Sequence, residues 1–249
     1  MAQFLLVTDL DNTLVGDDAA LHELNQQLTQ HRQAHETRLV YSTGRSRQSY
    51  EQLQRQKALL EPDALVTAVG TEVYFPGQET PDPHWSAQLQ THWDRAFVQS
   101  IAQQFPELIP QPESEQRPFK VSFFLAAEMA PQVLPALAAT LQAQQLPVKL
   151  VYSGGKDLDV LPQAGDKGQA MQFVRQTLGI AATQTLACGD SGNDIALFSA
   201  GEERGLIVGN AQPELRQWHT TNPSDRHHLA QAHYAAGILE GLYHFQFLS

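Results

Sequence analysis

The sequence predicts an α/β protein, a parallel-sheet core interrupted by a smaller inserted α+β module. Three observations carry this expectation. Short apolar runs alternate with amphipathic stretches at both ends of the chain, the pattern of βαβ units. The rhythm breaks at 76–83, where three prolines fall within eight residues, a composition that ends regular structure. It resumes after a turn running from Pro162 to Asp166. The expected division is therefore core at 1–81, inserted module at 82–161 and core again at 162–249.

Taken in order, the first strand is the run at 4–7, unbroken in its apolar character, as in a strand covered on both faces. A helix over 20–33 leads to a strand at 39–42, a helix over 46–58 and a strand at 64–69. Within the module the pattern predicts a helix around 86–104, a strand at 120–125, a helix over 130–145 and a strand at 148–152. Trp85, Trp93 and Phe97, at roughly helical spacing, are assigned to the module's core. The second core segment reads as helix 167–178, strand 185–188, helix 193–199, strand 206–208 and helix 229–243. Tyr243, Phe245 and Phe247 are expected to dock the C-terminal end.

A length of 249 residues gives ample core, and 42% hydrophobic with 17% charged residues describes a folded globular protein. With 27 acidic against 16 basic side chains, the net charge is -11. That excludes a nucleic acid or an anionic membrane as partner, since both require a basic surface. An anionic substrate would need local attraction from a cluster or a metal. One cysteine, Cys188, permits no intramolecular disulfide and suits a reducing compartment. No basic-then-apolar leader opens the sequence and no apolar run approaches ~18 residues, so the expectation is a cytoplasmic protein, and with no separate association segment visible a monomer. Ten histidines are present, but none is paired with a second ligand at metal-site spacing. His227 and His228 are expected in a polar loop.

Four segments carry chemistry. Asp9 and Asp11 follow the first strand, where open α/β sheets place their ligands. Read alone, they serve equally as turn or N-cap residues; read functionally, Asp9 is a nucleophile and hard-cation ligand and Asp11 trades protons. Thr43 and Gly44 follow the second strand, either as a phosphate cradle or as part of a helix start capped by Thr43 or Ser46. Lys167 opens a helix, a position the helix dipole disfavours. Either solvent or the charge of Asp9 and a phosphate oxygen accounts for it. Asp190, Asn193 and Asp194 follow the strand ending at Cys188. Asp190 would complete a metal site, with Asn193 and Asp194 orienting Lys167 and the phosphate side.

Together these segments match the signature of the haloacid-dehalogenase-like phosphatases, and the chain resembles that superfamily. The matching residues are Asp9 to Thr13, Thr43-Gly44-Arg45, Lys167, and Gly189 to Asp194. The resemblance is closer to the sucrose-phosphate phosphatases of cyanobacteria and plants. It is carried by Asp9 to Asn12, Ala68 to Tyr74, Ser153 to Pro162 and Asn210 to Leu215. Leu14 departs from it, standing where many relatives carry a bulkier aromatic.

The resemblance implies a Rossmann-like core with an inserted α+β cap, and Mg²⁺-dependent hydrolysis of sucrose 6-phosphate, the final step of sucrose synthesis. It implies that Asp9 forms an aspartyl-phosphate and that Asp11 protonates the leaving oxygen and then activates water. Mg²⁺ would be held by Asp9, Asp190 and the backbone carbonyl of Asp11. Thr43, Gly44, Arg45, Lys167 and Asn193 would face the phosphate side. The sugar would be read by cap residues, with Lys120, Lys156 and Asp157 foremost and Ser122, Asp159 and Gln163 beside them. Gln48 and Glu72 are the candidates from the core side.

Two further readings stay open: the same chemistry on mannosyl-3-phosphoglycerate or glucosylglycerol phosphate, and an inactive phosphatase-like module that binds a partner. Sucrose-phosphate synthase is the expected protein partner.

Overall fold

Strand β1 (Leu5–Thr8) is fully buried, and its residues alternate between two apolar layers. Phe4 and Leu6 pack on one side, Leu5 and Val7 on the other. A strand can be apolar without interruption only when both faces are covered, and helices supply that cover. The computed structural model describes residues 3–249.

The main sheet also contains β2 (Arg38–Ser42), β3 (Ala64–Thr67) and β4 (Glu72–Tyr74). On the other side of β1 lie β9 (Thr185–Gly189), β10 (Arg204–Ile207) and β11 (His227–Leu229). Their spatial order is β11-β10-β9-β1-β2-β3-β4, parallel except for β4. Helices α1 (Asp18–His35), α2 (Arg47–Gln56) and α9 (Tyr234–His244) pack on one face. Helices α3 (Pro83–Gln90), α6 (Lys167–Thr177) and α7 (Ile195–Ser199) pack on the other. Helix α8 (Pro213–Thr221) follows β10.

A second, antiparallel sheet has the order β5-β6-β8-β7, from β5 (Ile109–Pro110), β6 (Val121–Phe124), β7 (Val148–Ser153) and β8 (Asp157–Pro162). Helices α4 (Arg95–Ala102) and α5 (Ala130–Ala143) share its apolar cluster.

The structure departs from the sequence expectation at several points. The helix expected at 86–104 is two helices. His92 adopts φ 63°, and Asp94 caps a new helix by accepting from the Phe97 N–H. Trp85 and Leu89 on α3 belong to the main-sheet cluster, while Trp93 joins the second sheet and Phe97 stays 39% exposed. The helix expected from 229 starts at Tyr234, because His227 and His228 pair with β10 as β11 rather than forming a loop. Tyr243 is exposed, leaving Phe245 and Phe247 to pack against the main cluster.

Candidate active site

The strand order places the chemistry. Asp190 follows β9, Asp9 follows β1 and Thr43 follows β2, three neighbouring parallel strands. Their carboxyl ends open at the point where the chain winds outward in both directions, the usual ligand crevice of open sheets. Asp9 is held by its N–H, which donates to the Cys188 carbonyl at 3.0 Å.

Lys167 begins α6 and is fully buried. Asp166 caps that helix by accepting from the Gln169 N–H at 2.7 Å, which offsets the awkward placement of a cation at the first turn. The Lys167 ammonium donates to Asp9 at 2.6 Å and to Asp194 at 2.7 Å. The second oxygen of Asp194 accepts the N–H groups of Asp190 at 2.9 Å and Ser191 at 3.1 Å. Asp194 therefore shapes the acid loop and anchors Lys167 together. Thr13 donates to Asp190 at 3.2 Å.

Asp11 turns away from this cluster. Both its oxygens accept from Arg45 at 2.7 Å, and Ser49 in turn takes the guanidinium at 2.9 Å. That bond to Asp11 is the main reason Arg45 is held above the usual arginine range. The Thr43 hydroxyl accepts from the Arg45 N–H at 3.1 Å.

Asp9, Asp190 and Asp194 bring carboxylate oxygens within 4.8 Å of one another, all buried. Lys167 can balance only one of three ionised carboxylates, so full ionisation of this buried group would leave two negative charges for a cation to meet. Burial pushes the Asp9 carboxyl up to about 7 against the pull of Lys167. Burial, then the charges of Asp194 and Asp9, push Asp190 up to about 8. Burial disfavours the Lys167 charge, but Asp194 and Asp9 outweigh it and hold the ammonium above the usual lysine range. An all-oxygen donor set with two surplus negative charges fits a hard divalent cation such as Mg²⁺. The Asp11 side chain lies outside this carboxylate group.

Above the cluster lies a cleft of about 710 Å³. Asp9, Asp11, Gly44, Arg45, Asp190 and Asn193 line it from the main sheet, and Lys120, Lys156 and Asp157 from the inserted module. Asp159 accepts from Ser122 at 2.6 Å and Lys120 at 3.2 Å, and Asp157 accepts from Gln111 at 2.9 Å. Burial raises the Asp157 carboxyl. These are fixed donors and acceptors of the kind a polyol requires.

Thr43, Lys167 and Asp194 are buried and do not line the cleft. Gln48 is corrected: it points from α2 into solvent, and its neighbour Ser49 lines the cleft instead. Glu72 lies away from the cleft, accepting from Thr67, Tyr74 and Arg117. Gln163 borders a different cavity, behind β7. Sequence reasoning missed Gln111, Glu115, Phe124, Ser191 and Gln212. For Gln111 and Glu115, in a Pro-rich loop, no periodic signal existed. Phe124 reads as core by composition, yet it is 39% exposed.

The sequence profile of the sucrose-6F-phosphate phosphohydrolase family matches residues 2–246. The chain is 41% identical to probable sucrose-phosphatase 2 of Arabidopsis thaliana over 98% of its own length and 60% of that protein. It thus spans about three-fifths of the plant relatives it matches. It is 32% identical to the mannosylfructose-phosphate phosphatase of Agrobacterium fabrum, covering 97% of this chain and 96% of that one. The sucrose-phosphatase of Synechocystis sp. PCC6803, solved in complex with sucrose and phosphate, superposes with a TM-score of 0.94 at 46% identity, covering both chains completely. These matches, the three strand-end segments and Lys167 lead to one conclusion: the chain belongs to the sucrose-6F-phosphate phosphohydrolase family, within the haloacid-dehalogenase-like phosphatases.

Proposed function

We propose that this protein hydrolyses sucrose 6-phosphate to sucrose and inorganic phosphate. The observation that carries the reading is Asp9 on the cleft floor, bonded to Lys167 and beside Asp190, beneath a cap lined with fixed polar groups. The match to a structure holding sucrose and phosphate supports the substrate.

Asp9 attacks phosphorus, forming an O–P bond as the bond to the sugar oxygen breaks. Lys167 and the acid loop hold the nucleophile in line, the positioning on which phosphoryl transfer depends. The incoming phosphate competes for Arg45 and frees the Asp11 carboxylate, which takes up a proton from solvent and passes it to the leaving sugar oxygen. Water then attacks the phosphoaspartate, Asp11 takes its proton, and phosphate and Asp9 are released. Gly44 and Asn193 border the phosphate position, Thr43 supports it from beneath through the Arg45 N–H, and Lys120, Lys156 and Asp157 meet the sugar. Asp9, Asp190 and the Asp11 carbonyl would hold Mg²⁺, which would supply charge neutralisation for the phosphoryl oxygens.

The Agrobacterium relative gives a second reading, the same chemistry on mannosylfructose phosphate. One assay separates the two: Mg²⁺-dependent phosphate release from sucrose 6-phosphate, mannosylfructose phosphate, mannosyl-3-phosphoglycerate and glucose 6-phosphate. Preference for the first supports the assignment, comparable rates on all deny it, and no release favours an inactive binding module.

No helix among the described residues is long and apolar enough to cross a membrane. Our assignment to the cytoplasm rests on the single buried thiol of Cys188 and the acidic composition. We assign a monomer, with sucrose-phosphate synthase as the partner that supplies substrate.

A further inference from the structure

Two segments singled out in the sequence have no part in this chemistry: Ser153 to Gly155, and Asn210 to Leu215. They meet in the fold. The hairpin between β7 and β8 turns through Gly154 at φ 59° and Gly155 at φ 65°. The Gly154 N–H donates to Oε1 of Glu214, on the first turn of α8, at 3.0 Å. The N–H of Gly192, in the acid loop, reaches the same oxygen at 3.4 Å. Here the layers touch so closely that a Cβ on Gly192 would stand 2.4 Å from the Tyr152 carbonyl oxygen.

The rest of the segment fastens the catalytic loops. The Gln212 N–H donates to the Asp190 carbonyl at 2.7 Å. Asn210 donates to the Asn12 carbonyl at 2.6 Å and accepts from the Tyr234 N–H at 2.9 Å.

From this geometry we infer that Glu214 is a positioning residue that latches the cap hairpin onto the acid loop. Two ion pairs, Arg117–Glu72 and Lys149–Asp166, also cross between the layers, but none of those four residues lines the cleft. Gly154 does line it, and Gly192 lies between the lining residues Ser191 and Asn193. One carboxylate oxygen shared by two N–H donors is a charge-assisted contact, complete only when the hairpin is seated. Seating the cap on the sugar and setting the Asn193–Asp194 turn are thereby one event. Glu214 touches no reacting atom and acts through Gly154 and Gly192.

The inference rests on the proposed function, and its test uses a substrate that needs the cap and one that does not. With Mg²⁺ present, kcat and KM are measured for sucrose 6-phosphate and for p-nitrophenyl phosphate in wild type, Glu214→Ala and Glu214→Gln. Glu214→Ala is expected to lower kcat/KM for sucrose 6-phosphate about tenfold, through both cap and acid loop, and for the aryl phosphate only about threefold, through the acid loop alone. Glu214→Gln, whose amide oxygen accepts the same donors, is expected to restore most of the loss. An equal loss on both substrates, no loss on either, or no rescue by Gln overturns the latch. The last result would mean that the Glu214 charge serves only the α8 dipole.

Amide exchange on the Mg²⁺-loaded, substrate-free protein gives an independent reading. Glu214→Ala should speed exchange in 151–156 and in 190–194 together, and a change in one segment alone, or in neither, overturns the coupling. Wild type that releases no phosphate from sucrose 6-phosphate removes the substrate assignment, and the exchange result then decides the latch by itself. If Glu214→Ala does not fold, the exchange comparison is made with Glu214→Ser, whose shorter side chain cannot span to Gly154.

Discussion

Arg45 grips both oxygens of Asp11 at 2.7 Å, so the residue assigned to carry the proton is held by a guanidinium on the wall of the cleft. Arg45 is itself braced by Ser49 at 2.9 Å. An entering phosphate dianion is the natural competitor for that guanidinium.

From this pairing, Arg45→Ala is expected to lower kcat on sucrose 6-phosphate by about 10–100-fold, the usual size of a lost charge-assisted contact. The loss should shrink on p-nitrophenyl phosphate, whose leaving group needs no proton. Equal losses on the two substrates would show that Arg45 binds phosphate without acting on Asp11. Arg45→Lys should recover little, because one ammonium cannot span both carboxylate oxygens.

Asp9→Asn removes the proposed nucleophile while keeping its shape. Turnover should fall by about 10⁴-fold or more on every substrate. Mass spectrometry of acid-quenched wild type should detect the phosphoaspartate on the peptide containing Asp9, and its absence there would reassign the nucleophile.

Lys167→Met leaves Asp9 and Asp194 buried without their cation. Breaking a buried pair in this way costs about 3–5 kcal/mol. For a domain of this size that corresponds to a fall in Tm of roughly 6–20 °C. Calorimetry with and without Mg²⁺ checks it, and an unchanged Tm would show that the ammonium carries no structural load.

Without metal, stability should fall as the pH rises. Folded Asp9 and Asp190 keep their protons up to about 7 and about 8, whereas both would release them near 3.8 in the unfolded chain. Across that window the folded state binds more protons, so each step upward in pH favours unfolding until about 8. Thermal melts in EDTA between pH 5 and pH 9 should show this decline. Mg²⁺ at a hundred times its Kd should reverse it and add about 2.7 kcal/mol. A Tm in EDTA that is flat with pH would contradict the excess of buried negative charge.

Gly70→Ala should be poorly tolerated. Gly70 sits at φ +96°, and a Cβ there would lie 2.2 Å from the Asp166 carbonyl carbon and 2.5 Å from the Lys167 nitrogen. Strain and overpacking together should cost at least about 2 kcal/mol, read by urea denaturation. Activity should fall further than stability because the start of α6 carries Lys167.

Much of the site was legible in the sequence because its chemistry sits at strand ends, where an apolar run followed by an acid gives both location and purpose. Asp9 and Asp190 come together for that reason, and Lys167 reaches them from the start of α6, where its sequence position left solvent as an alternative. The engagement of Asp11 by Arg45 was not legible, since it joins the ends of two different strands through side-chain rotamers. Strand β11 was hidden because His227-His228-Leu229 lacks a β-rich composition and forms only by pairing with β10. Gln48 was misread because helical phase, one residue off, exchanges solvent for cleft and gives the place to Ser49. The cap's contribution through Gln111 and Glu115 depends on a loop whose path no local pattern fixes.

The three catalytic strand ends belong to the adjacent strands β9, β1 and β2. Neighbouring strands lie about 4.8 Å apart because backbone hydrogen bonds fix that spacing, whatever side chains they carry. The spacing of the walls of the phosphate seat is thus ruled off by the peptide chain itself. Substitution can change what is recognised above that seat without altering its gauge. A protein engineer seeking new sugar esters should therefore rebuild the cap and leave the three central strands alone.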